Sequence, residues 1–251
     1  MLLPSVGTSG AAERKTIPHR RPTKLIRWTP PPPPPPTIND PGGREQGGGS
    51  RGPECKPYEK LQVLVPETPN GTRWGLASRD RNTLWLYAPQ GIKPNIALEL
   101  VVNEWPRKRI FKQQIPPFQS APGVVGIPLP SLPSGKTYQW RLSLFCDRQA
   151  LDLPISHSGI IQRISLQPKL AKALQTKTQV IEQSRFYAQQ GLWYDSTTSL
   201  GTAMTTSPSP GVAPQPQPPE TLIWAELLQQ GGFDTIAPQP LVVPQFSSGK
   251  P

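Results

Sequence analysis

Along residues 61–166 the apolar positions come in short runs of period two, broken by Pro, Gly and Asn. This is the pattern of half-buried strands. It predicts seven strands, at 61–65, 83–88, 96–103, 109–115, 124–129, 136–146 and 157–166. On the third, Ile96, Leu98, Leu100 and Val102 share one face and Glu99 lies on the other. On the sixth, Tyr138, Trp140, Leu142, Leu144 and Cys146 share a face, with Gln139, Arg141 and Ser143 opposite. The pleat sends one such face to a core and the other toward water. The seventh is less cleanly two-faced: Ile161, Arg163 and Ser165 alternate with Ile160, Gln162, Ile164 and Leu166. Strands this short and closely spaced predict an antiparallel sandwich rather than an α/β fold.

After Leu166 the period becomes helical. Leu170, Ala173 and Leu174 mark a first helix. Val180, Ile181, Ser184, Tyr187 and Ala188 mark a second, ending near Gly191 as its cap. Asp195 is placed to cap a third helix running to about Met204. A proline-rich stretch at 207–219 precedes a fourth helix over 220–230, with Ile223, Trp224, Leu227 and Leu228 on its apolar side.

Composition sets the boundaries. Of 251 residues, 36 are Pro and 21 Gly, and they crowd the first 54 residues as seven prolines at 30–36 and a glycine-rich stretch at 42–52. Residues 1–54 read as a disordered basic, Pro/Gly-rich arm and linker, in which the basic segment from Arg14 to Trp28 has only Ile17, Leu25, Ile26 and Trp28 as scattered apolar positions. The proline run is a stiff polyproline II rod, serving either as a spacer or as a ligand for an aromatic groove. The remaining units are a β-sandwich at 55–166, a helical segment at 167–243 packed on it, and a disordered tail at 244–251.

The string Leu132-Pro-Ser-Gly-Lys-Thr-Tyr138-Gln-Trp140 opens the sixth strand. It resembles the tyrosine corner of immunoglobulin-like and fibronectin-type-III sandwiches, in which the Tyr hydroxyl bonds backbone a few residues upstream. The fold class expected is therefore mainly β, an immunoglobulin-like antiparallel sandwich with a C-terminal α-helical segment. Tyr138 and Trp140 mark the fold and imply no activity.

Further strings stand in order: Leu64-Val-Pro-Glu67, Leu84-Trp-Leu-Tyr-Ala-Pro89, Gly135-Lys-Thr-Tyr-Gln-Trp140 running to Phe145-Cys146-Asp147, Gly159-Ile-Ile-Gln-Arg163, Tyr187-Ala-Gln-Gln-Gly-Leu-Trp-Tyr-Asp195 and Trp224-Ala-Glu-Leu-Leu228. Together they resemble the cyanobacterial family called domain of unknown function 928, over roughly residues 55–243. The resemblance implies a mostly β domain with a helical end, exported, with no assigned activity. It also implies a signal peptide, which is not read in this sequence, and an alanine where this chain has Ser196. The expected location is periplasmic or extracellular, with the cytoplasm as the alternative.

The net charge is +11, divided as +4 over residues 1–54 and +7 over the rest. That balance suits an acidic partner, whether nucleic acid, anionic lipid or polymer, and equally a soluble domain with a basic tilt. No apolar run reaches the roughly 18 residues of a membrane span. The densest basic cluster, with Trp105, Arg107, Lys108, Arg109 and Lys112, falls at the turn between the third and fourth strands. It reads as an anion-gripping tip or as charges that blunt edge pairing. Arg163, Trp193 and Tyr194 are further candidate contacts, each with a structural alternative: an ion pair for Arg163 and helix packing for the aromatics.

Chemistry is sparsely signalled. Cys146 and His157 could meet across a hairpin, but the face of Cys146 is a core face, which does not suit a thiolate. Parity gives the cysteines another role: Cys55 precedes the first strand and Cys146 ends the sixth, at the same pole, so a disulfide closing roughly 90 residues is geometrically reasonable. The alternative is two unrelated thiols. Glu67, Asp147 and Asp195 are remote in sequence, with no spacing that sets a catalytic pair. No metal-ligand spacing or phosphate loop appears, and no cofactor is expected. Three functions remain. The first is a non-catalytic binding or structural domain contacting a protein or polymer. The second is a nucleic-acid or anionic-surface binder using the arm and the 107–112 tip, which is not favoured. The third is a hydrolase with an unrecognised site.

Overall fold

The computed structural model describes residues 25–35, 53–146, 154–206, 219–242 and 244–246. A 3₁₀ turn (Pro53–Tyr58) leads into β1 (Gln62–Val63), β2 (Trp74–Ala77), β3 (Thr83–Ala88), β4 (Ala97–Glu104), β5 (Lys108–Ile115), β6 (Phe118–Gln119), β7 (Gly123–Pro128), β8 (Thr137–Phe145) and β9 (Ile155–Arg163). Four helices follow, α1 (Pro168–Gln175), α2 (Val180–Gln189), α3 (Trp193–Thr206) and α4 (Pro219–Gln230), then β10 (Gln245–Phe246).

The chain is mainly β. A three-stranded sheet has the order β1-β3-β7 and a five-stranded sheet the order β2-β9-β8-β4-β5, while β10 pairs with β6. Leu84, Leu86, Val125 and Ile127 of the first sheet share one buried cluster with Leu98, Leu100, Trp140 and Leu142 of the second. The period-two faces of β4 and β8 thus go to the core as the pleat requires. The Tyr138 hydroxyl donates to the Pro133 carbonyl at 2.8 Å, the bond expected of a tyrosine corner.

The three-stranded sheet is buried on both faces. Trp85 of β3 and Val124 of β7 point away from the first cluster, into a second with Trp193, Leu200, Ile223, Trp224 and Leu228 of the helices. Burial on both sides explains why β3 reads as the near-continuous apolar run Leu-Trp-Leu-Tyr-Ala. The helical segment covers this sheet, and among the described residues no helix lies over the outer side of β4, β5 and β8. Gly191, at φ +74, ends α2: the Leu192 N–H reaches the Tyr187 carbonyl and the Gly191 N–H the Ala188 carbonyl. The left-handed conformation that closes this motif favours glycine.

Several expectations are corrected. The strands are not all antiparallel: β2 pairs in parallel with β9, from Trp74 opposite Ile160 to Ala77 opposite Arg163. The four residues Trp-Gly-Leu-Ala carry no alternation to announce a strand. Gly75 holds that place because the Tyr194 ring lies where a Cβ would stand, 2.8 Å from it. Asp195 does not cap α3, which begins two residues earlier. Ser196, where the resemblance implies an alanine, joins α2 to α3, its hydroxyl meeting that of Ser184 at 2.8 Å in the interior.

The two termini also differ from the pattern reading. Within the arm read as disordered, residues 25–35 pack on the helices, with Ile26 and Trp28 buried. Within the tail read as disordered, Gln245 and Phe246 pair with Gln119 and Phe118. Two anchor residues in a polar, proline-rich stretch give no periodic signal, and their burial comes from elements about 200 residues away. Residues 1–24 and 36–52 of the arm lie outside the described residues.

Candidate functional site

The uncovered side of the five-stranded sheet is built by register. Opposite one another on β4 and β8 stand Glu99 and Ser143, Val101 and Arg141, and Asn103 and Gln139. On the far side of β4, Glu99 faces Gln114 and Val101 faces Lys112 of β5. On the far side of β8, Arg141 faces Ser158 and Ser143 faces Ser156 of β9. These are the positions that the pleat turns away from the core.

A β-bulge selects the charge. The β4–β5 register shifts after Val102, which faces Phe111, so that Asn103 faces Arg109 and Ile110 is left over. Without the extra residue Ile110 would stand on the outer face beside Lys112. With it Arg109 takes that place, the re-aiming of a side chain that bulges commonly achieve. Ile110 is left 38% exposed.

The result is a shallow cleft of about 600 Å³ lined by Arg107, Arg109, Lys112 and Arg141 with Asn103, Gln139, Ser143 and Ser156. Its one carboxylate among the described residues, Glu99, is paired with Lys112 at 3.0 Å. Arg107, Arg109 and Arg141 have no carboxylate within ion-pair distance among the described residues. The Ser143 and Ser156 hydroxyls meet at 3.0 Å and fix the β8–β9 flank. Three solvent-exposed guanidinium groups beside amides and hydroxyls can take a carboxylate, sulfate or phosphate bidentately and a neighbouring hydroxyl singly.

The sequence-predicted residues divide. Arg107, Arg109 and Lys112 line the cleft. Lys108 stands at the hairpin end opposite Glu104, and Trp105 ties the tip to β8 through its N–H to the Thr137 carbonyl at 2.9 Å. Arg163, Trp193 and Tyr194 are interior. Arg163 forms no ion pair among the described residues and instead donates to the carbonyls of Leu132 (2.9 Å) and Ala77 (3.2 Å), with burial pushing its pKa down. Trp193 donates to the Leu64 carbonyl at 2.8 Å. Arg141, Gln139 and Ser143 were visible only as the polar face of the sixth strand, and the pairing of β8 with β4 is what brings them to the arginines.

The remaining candidates are occupied. Cys55 and Cys146 form a disulfide, with Cα atoms 5.3 Å apart, which leaves no thiol to pair with His157. Glu67 pairs with Arg73 at 2.9 Å. The Asp195 carboxylate accepts the N–H groups of Ser78 at 2.5 Å and Arg79 at 2.9 Å, and burial pushes its pKa up to about 6 despite those bonds. Asp147 lies outside the described residues. Among the described residues no group of three or more His, Cys, Asp or Glu is placed to hold a metal ion, and no helix is long and apolar enough to cross a membrane.

Residues 46–241 match the family model described as Domain of Unknown Function (DUF928). No curated protein and no solved structure matches the chain.

Proposed function

For a chain that belongs to the DUF928 family, we propose a non-catalytic binding module outside the cytoplasm that holds an acidic polysaccharide along the outer face of β9, β8, β4 and β5. The observation that carries this reading is the trio Arg107, Arg109 and Arg141, which have no carboxylate partner among the described residues, on a sheet face that the described helices leave uncovered. The half-buried Asn103 and Ser156 beside them suit the hydroxyls of a sugar chain. Among the described residues the lining carries a single aromatic, the half-buried Phe145, rather than the succession of stacking platforms that a nucleic-acid strand uses, which favours a glycan.

The disulfide supports a location in an oxidising compartment. The immunoglobulin-like reading of the sandwich belongs to the same proposal. The order β9-β8-β4-β5 follows a GFC sheet extended by C′, and Tyr138 sits at the start of the strand in the F position. The parallel edge strand β2 is an addition to that scheme.

The test is retention of the folded protein on an immobilised polyuronate over a salt series. Retention should fall as salt rises, and Arg107→Ala/Arg109→Ala/Arg141→Ala should weaken it roughly tenfold or more. Equal retention of the triple variant, or none at low ionic strength, would dismiss the reading.

A further inference from the structure

Residues 25–35 contain no helix or strand, yet the folded domain reads their backbone group by group. The Glu226 carboxylate accepts the N–H groups of Leu25 (2.7 Å) and Ile26 (3.2 Å). The Gln230 amide both accepts from the Trp28 N–H (2.8 Å) and donates to the Ile26 carbonyl (2.9 Å). Arg185 donates to the Leu25 carbonyl at 2.6 Å, and the Thr29 N–H reaches the Ala188 carbonyl at 3.1 Å. Farther along, the Trp74 indole N–H donates to the Pro32 carbonyl at 3.1 Å.

Two side chains anchor the segment. Ile26 is 2% and Trp28 7% exposed, while Leu25 is 41% exposed and Arg27 also faces water, the in-out pattern of an extended peptide. Trp28 sits edge-on to Trp193 with ring centroids 5.0 Å apart. From Trp28 onward the more buried positions are 28, 31 and 34, the three-residue period of polyproline II. Gly191 lets the segment close in, since a Cβ there would stand 3.1 Å from the Thr29 carbonyl oxygen.

These are the features of a linear-peptide site: polar contacts directed at backbone, two apolar sockets, and a tryptophan N–H aimed at a proline carbonyl. Every groove residue lies inside the stretch that the family model matches, residues 46–241, and the segment itself lies outside it. A space of about 480 Å³ stays open beside the prolines, bordered by Pro66, Pro69 and Trp74. We propose that the groove between β2, α2 and α4 is a recognition site for an extended proline-rich peptide of pattern Ile-x-Trp-x-Pro-Pro. The chain's own residues 26–33 are its intrachain ligand, displaceable by a protein partner carrying the same pattern.

The test begins with the full-length protein carrying a protease site in place of residues 47–50, folded and oxidised before it is cut. A labelled synthetic peptide of residues 23–35 is the probe. The cut protein should keep its circular dichroism, release the arm on dilution and bind the probe one to one. The uncut chain should bind the same probe about 100-fold more weakly, because a short tether holds the arm at high effective concentration. Probes with Trp28→Ala should bind at least roughly tenfold more weakly than the natural peptide. An arm that never leaves, a cut domain that unfolds as the arm departs, or a cut domain that ignores the probe would each overturn the proposal. The Arg107, Arg109 and Arg141 cleft plays no part in any of these readouts.

Discussion

The indole N–H of Trp140 donates to the hydroxyl of Tyr194 at 2.8 Å, and that hydroxyl donates in turn to the Ile160 carbonyl at 3.2 Å. One phenol therefore ties β8, β9 and α3 together inside the core. Burial pushes its pKa well up, so it stays a neutral hydrogen-bond relay. Tyr194→Phe should cost about 1–3 kcal/mol in urea denaturation, because the buried indole N–H loses its partner. Trp140→Phe combined with Tyr194→Phe should couple with a sign that returns part of the loss, which a double-mutant cycle would read.

Asp195 should give the protein an inverted acid response. Its folded pKa of about 6 lies above its ordinary value of 3.8, chiefly through burial. Between those values the native state holds the proton and the unfolded state has lost it. Stability from this group is therefore full below about pH 4 and declines as pH rises toward about 6. The melting temperature of wild type relative to Asp195→Asn should accordingly fall between pH 4 and 6. A difference that rises over the same interval would show the carboxyl to be held ionised.

Reduction should weaken the fold without touching the cleft. The Cys55–Cys146 bridge spans 91 residues of sequence, for which the loop-entropy description gives about 4–5 kcal/mol. Guanidinium midpoints with and without reductant, beside Cys55→Ser/Cys146→Ser, measure that contribution. Polyuronate retention of the still-folded double variant should match wild type.

Two adjacent carbonyls at the β7–β8 crossover are held by different donors, Pro133 by the Tyr138 hydroxyl and Leu132 by Arg163 Nε. Tyr138→Phe should cost about 1 kcal/mol, the net worth of one neutral bond. Arg163→Met should cost more, roughly 2–3 kcal/mol or above, since it strips a charged donor from the buried carbonyls of Leu132 and Ala77. Equal losses in chemical denaturation would contradict this ordering.

Much of this protein is local and was legible along the chain. The alternation at β4 and β8, the helical periods after Leu166, the turn glycine before Tyr138 and the Gly191 cap each depend on a residue and its near neighbours. The disulfide was readable too, because strand parity fixes which chain ends share a pole. The outer-face residues Gln139, Arg141 and Ser143 could be separated from the core face, but not joined to Arg107 and Arg109, because register lies between strands.

Tertiary structure decided the rest wherever a residue's role is set by a distant partner. Composition makes residues 25–35 look unable to order themselves, and alone they have too little apolar surface to do so. Ile26 and Trp28 gain that surface from the helical layer. A bulge after Val102, invisible in the alternation, turns Arg109 rather than Ile110 onto the open face. Asp195 looks like a cap by position, yet its carboxylate serves two amides 116 and 117 residues away. Sequence by itself determined the longer strands and the helices, though not β2, β6 or β10, since backbone preference and side-chain period act over a few residues. The site needed the fold, since register, burial and the joining of charges are properties of pairs that only packing brings together.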